Sequence, residues 1–111
     1  MEKDYFFEIS RLFISTIETI DKVLNNKFYT DTQSLIQTKI VLKKWYRKFN
    51  KTNSMVTISV KDLETLSLEI SDFFSKYIET EPISHNYTKI LSFNINNLKL
   101  YWKIEMEKNS A

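Results

Sequence analysis

The stretch Ile83–Met106, ISHNYTKILSFNINNLKLYWKIEM, decides the fold, because it fits two incompatible patterns. Tyr87, Leu91, Ile95, Leu98, Trp102 and Met106 recur at steps of four and three, which places them on one stripe of a helix. Phe93, Leu100 and Ile104 then fall almost opposite, leaving a narrow polar strip of Thr88, Lys89, Ser92, Asn96, Lys99, Lys103 and Glu107. A helix apolar over so much of its circumference needs cover on more than one side, from its own chain or from a partner. Leu91, Phe93, Ile95, Leu98, Leu100, Trp102, Ile104 and Met106 also alternate, with Asn96-Asn97 as a two-residue turn. That alternative is an α+β fold, three helices with a C-terminal β-hairpin at about 88–106, to which Val56-x-Ile58-x-Val60 could add a strand.

The rest of the chain favours the helix. Phe6, Ile9, Phe13, Ile17, Ile20 and Leu24 follow helical spacing from Lys3 to about Asn25, with acids at the start where the helix dipole favours them. Thr30 to Gln33 has the form of a capping box, and a second helix is predicted from about Asp31 to Asn50. It should turn Leu35, Leu42, Trp45 and Phe49 inward, with Ile36 and Ile40 beside them. Ser59 fits an N-cap, with Ile58 and Leu63 placed as a hydrophobic staple, and Leu63, Leu66, Ile70, Phe73 and Tyr77 continue an inner face. Pro82 should end that helix near Glu79, and a fourth begins at about Ser84. Four segments of similar length predict an all-α, antiparallel four-helix bundle forming a single domain over 1–111.

Composition narrows the function. The 111 residues include no Gly and no Cys, one Pro and one His, and carry a net charge of +2. Without Gly there is no glycine-rich phosphate cradle, and any backbone position with positive φ must fall to Asn or Asp. Without Cys there is no disulfide, thiolate nucleophile or cysteine-based zinc site. The start Met-Glu-Lys-Asp-Tyr-Phe-Phe lacks the pattern of a secretory leader, and no run is apolar enough to span a bilayer, so a cytoplasmic protein without a membrane partner is expected. Abundant Ile, Lys, Asn, Phe and Tyr have A/T-rich codons, as in an A/T-rich genome, plasmid or virus.

Candidate chemistry is sparse. His85 has no ligand set at metal-binding spacing, and the carboxylate pairs Asp4/Glu8 and Glu18/Asp21 read as solvated helix faces. No catalytic, metal or cofactor site is therefore expected, and an enzyme is not. Six cations and no acid lie between residues 32 and 59, against six acids and two cations between 60 and 81. Lys43, Lys44, Arg47, Lys48 and Lys51, interleaved with Trp45 and Tyr46, could neutralise phosphates and stack on bases. The competing interpretation is that these cations face solvent or complement the acids of the next helix.

Tyr5, Phe7, Leu12, Tyr46, Leu68, Phe74, Phe93, Leu100 and Ile104 lie off the main stripes, and a cluster of them would mark a partner site. The expected function is a non-catalytic helical module that occludes or bridges a partner protein, of the inhibitor, immunity or adaptor type carried by phages and mobile elements. Its expected contact residues are Phe93, Leu100 and Ile104, with homodimerisation through the fourth helix as one form of it. The alternative is a nucleic-acid-binding protein using the basic helix.

Overall fold

The computed structural model describes residues 3–26, 29, 32–55, 57–76 and 82–109. Four helices follow in order: α1 (Lys3–Leu24), α2 (Gln33–Thr52), α3 (Val60–Ser75) and α4 (Pro82–Asn109). Each packs against its sequence neighbours, and α4 closes the ring against α1, so the chain runs up, down, up and down in a rod of 48 × 21 × 20 Å. No strand occurs among the described residues.

The hairpin alternative therefore fails, and the reason is physical. A two-residue turn at Asn96-Asn97 would need positive φ at both asparagines, and its strands would have no sheet to join. As a helix the same residues satisfy their backbone within the segment and bury Leu91, Ile95 and Leu98 completely. Thr57 and Ile58 form a turn, Val60 opens α3, and Val56 lies outside the described residues.

The core is built around α1, whose Ile9, Phe13, Ile20 and Val23 have no solvent exposure. Phe49 of α2 packs between Phe6 and Phe13, with ring centroids at 5.3 and 6.0 Å, and Phe13 also stacks on Tyr46 at 5.6 Å. At the other end Tyr29, from the α1–α2 connection, lies 5.6 Å from Phe73 and 6.1 Å from Phe74. Phe74 in turn lies 6.4 Å from Tyr87 of α4. Leu12 and Phe74, expected off the main stripes, are core residues, because α1 and α3 each have a helix on both flanks. Ile36 and Ile40, expected beside the core, are exposed, and Thr38 is buried in their place.

Helix ends follow the local chemistry with two departures. Ser59 caps α3 by accepting the Lys61 backbone N–H at 3.1 Å, and the staple pair Ile58 and Leu63 is buried. Asn53 ends α2 in the left-handed region, φ 56°, its N–H donating to Phe49 O at 2.7 Å. It is the position with positive φ among the described residues, and it falls to Asn as a chain without Gly requires. The predicted capping box does not start α2: Thr32 precedes the helix without a side-chain cap, and Thr30 lies outside the described residues. Helix α3 ends at Ser75, earlier than predicted, while Tyr77 and Glu79 lie outside the described residues. Pro82 opens α4 at the first helical position, where its missing N–H costs nothing.

Candidate functional site

Three surfaces remain once the core is assigned, and the outer face of α4 is the most apolar of them. Phe93 is 65 % exposed, Leu100 52 % and Ile90 43 %, while Ile104 is half-buried. These four share a side of α4 because their steps of three, seven and four keep to one face of a helix. The inner stripe of Leu91, Ile95 and Leu98 holds them outward. Asn97 sits among them, its Nδ2 donating to Phe93 O at 2.8 Å.

One polar device fixes α4 against α1. Asn94 is buried, and its Nδ2 donates to Ser15 Oγ at 3.1 Å. Tyr101 lies 5.3 Å from Tyr5 across the same interface, and the Lys108 ammonium sits 5.3 Å above the Tyr5 ring. Burial, with Glu8 and Tyr5 nearby, raises the Tyr101 phenol above its ordinary value. Sequence spacing did not reveal Asn94, because a polar residue on a buried face becomes legible only with its partner.

The basic residues of α2 form the second surface. Lys43, Lys44, Arg47, Lys48 and Lys51 are all exposed, and none makes an ion pair among the described residues. Lys39 pairs instead with Asp21 of α1, and among the described residues no direct ion pair joins the α2 cations to the acids that follow them. Trp45 and Tyr46 do not share this basic face. Tyr46 is stacked on Phe13, and Trp45 turns into a cleft between α2 and α3.

That cleft is the third surface, an open space of about 340 Å³ where α2 and α3 pack least closely. Trp45, Val41 and Leu66 form its apolar wall, and Asp62 and Glu69 stand at its acidic rim. Carboxylates beside an indole favour a cation over an anion there. Sequence reading took Trp45 for core and did not foresee the cleft, which depends on how far apart two helices sit.

The remaining candidates are dispersed. His85 is exposed, Glu8 lies 3.6 Å from Arg11 and Asp21 is engaged by Lys39, while the side chain of Asp4 lies outside those described. No three metal-ligating side chains converge among the described residues. No helix among them is long and apolar enough to cross a membrane. No protein-family model matches the chain, and no curated protein or solved structure matches it either.

Proposed function

We propose that the chain is a non-catalytic helical module of the cytoplasm that acts by binding a protein through the outer face of α4, in the manner of an inhibitor, immunity protein or adaptor. The carrying observation is the exposure of Phe93 and Leu100 on one side of a helix whose opposite side is already buried. Aromatic and aliphatic side chains so placed lose water-exposed area when a partner covers them, at about 25 cal/mol per Å². Well-packed aromatic anchors dominate binding energy at protein interfaces.

The test places a photo-crosslinking phenylalanine analogue at position 93, with position 64 on the exposed side of α3 as control, in the cells that make the protein. A discrete adduct from 93 and none from 64 is expected. Leu100→Glu in the same chain should remove it while changing stability by no more than about 0.5 kcal/mol. Equal labelling from both positions, or none from 93, removes the reading.

A second reading is supported by the five cations of α2 on one exposed face, none of which makes an ion pair among the described residues. Such a face suits nucleic-acid phosphates, without base stacking by Tyr46, whose ring is stacked on Phe13.

A further inference from the structure

The cleft between α2 and α3 is ordered along its length. The two helices are antiparallel and joined by a short connection, so the lining residues face one another in sequence register: Trp45 lies level with Asp62, Val41 with Leu66, and Thr38 with Glu69. Asp62 and Glu69 are seven residues apart, two turns of helix, which sets both carboxylates on one side of α3 about 10 Å apart along its axis. Both are exposed, and neither makes an ion pair among the described residues.

Each end of the cleft adds to its carboxylate a second group suited to a cation. At the Asp62 end it is the indole of Trp45, half-buried, whose ring face attracts an ammonium. At the Glu69 end it is the hydroxyl of Thr38. This residue lines the cleft although it is only 3 % exposed, and its hydroxyl makes no hydrogen bond among the described residues. Buried threonines of α1 behave differently: Thr16 and Thr19 donate to carbonyls four residues back, each at 2.7 Å. Nor is the Thr38 oxygen among the fully enclosed polar atoms without a partner, which are Ser10 Oγ and Trp102 Nε1. It therefore opens on the cleft, where it can accept a hydrogen bond from a donor that enters.

Between the two ends the floor is apolar, made by Val41 and Leu66. No cationic side chain lines the space. Lys44 and Lys48 stand further out on α2, and Lys61 precedes Asp62. All three are exposed and make no ion pair among the described residues. The volume of about 340 Å³ is that of a small-molecule site.

We propose that this cleft binds a linear aliphatic diamine. One ammonium lies between Trp45 and Asp62, the other between Thr38 and Glu69, and the hydrocarbon chain covers Val41 and Leu66. The separation of the carboxylates sets the length: an extended chain advances about 1.2 Å per bond, so roughly eight carbons reach both ends. The site is on the opposite side of the molecule's chemistry from the α4 face, taking a small cation rather than a protein.

The probe is α,ω-diaminooctane, titrated into the unmodified chain and followed by nitrogen-edited proton NMR. Saturating shifts are expected at the Trp45 indole N–H and at the Thr38 and Leu66 amides, with a dissociation constant on the order of 1 mM or below. Exposed charge contacts are individually weak, so both ends are needed. Octylamine, with one ammonium, and α,ω-diaminobutane, too short for the two carboxylates, should each bind roughly fivefold or more weakly. Asp62→Asn or Glu69→Gln should reduce diaminooctane to the level of octylamine, with the fold kept because both residues are exposed. Where a variant loses helical dichroism, the length series on the unmodified chain decides.

Shifts that fail to saturate by about 20 mM, that scatter over the carboxylates of α1 and α4, or that persist unchanged in Asp62→Asn with Glu69→Gln overturn the site. A peptide with two lysines two helical turns apart that binds more tightly than the diamine, through the same carboxylates, assigns the cleft to a partner protein and overturns the free diamine. Neither result touches the α4 reading, whose crosslinking readout lies on another face.

Discussion

The Glu105 carboxylate of α4 accepts the backbone N–H of Met55 at 2.6 Å, across a sequence separation of fifty residues. Its other oxygen accepts Ser54 Oγ, also at 2.6 Å. The pair holds the α2–α3 connection against the bundle, where Met55 and Ile58 fill the core as a helix would. Removing the carboxylate leaves a donor of the fully buried Met55 without its acceptor. Glu105→Ala should lower stability by about 2 kcal/mol, and Glu105→Gln, which keeps one acceptor oxygen, by about half that. Thermal unfolding followed by dichroism checks this, and an unchanged midpoint for Glu105→Ala would contradict it.

The left-handed cap at Asn53 makes an opposite pair of predictions. Asn53→Ala puts a Cβ into a conformation that disfavours it, costing about 1 kcal/mol. Asn53→Gly should be neutral or stabilising, since Gly is the preferred residue there. Urea denaturation of the two variants should separate them, and equal midpoints would mean that the cap does not constrain α2.

The basic face of α2 is tested by titration with single- and double-stranded oligonucleotides across a salt series. Use of these cations on phosphates predicts a log–log slope of about −3 to −5. Lys44→Gln, Arg47→Gln and Lys48→Gln together should then abolish binding with the fold intact, because all three residues are exposed. Absence of binding at low salt would assign the cations to solvent.

Tyr101 supplies the pH dependence. Its phenol is raised in the folded protein, so the folded state keeps a proton that the unfolded chain releases. The associated stability is complete below the ordinary tyrosine value and is lost as pH rises through the folded one. Tyr101→Phe should therefore show a shallower alkaline decline than the parent chain. Parallel declines would mean that this phenol contributes no linkage.

Much of the fold was legible in the chain because helical spacing reports burial directly. Ser59 with Ile58 and Leu63 announced the start of α3, and Phe93 and Leu100, read as facing away from the core, are exposed. The failures share a cause, which is that one helix does not say where around it its neighbours sit or how closely they approach. Leu12 and Phe74 lie off the best stripe yet are buried between two neighbours, while Ile36 and Ile40 lie near it and are exposed. Polar interior residues were illegible for a related reason. Thr16 and Thr19 satisfy themselves on carbonyls four residues back, each at 2.7 Å, and Asn94 on a hydroxyl from another helix. The α2–α3 cleft was beyond reach, since it depends on a distance between helices.

The ends of the rod are built differently. At one, the rings of Tyr29, Phe73, Phe74 and Tyr87 form an aromatic plug joining three parts of the chain. At the other, α3 has only 16 residues against the 28 of α4, and the short connection after Asn53 takes the place of the missing turns. One carboxylate tethers that connection. Amide exchange should therefore start in the strap and spread into the first turn of α3, leaving the plugged end protected until the whole molecule opens.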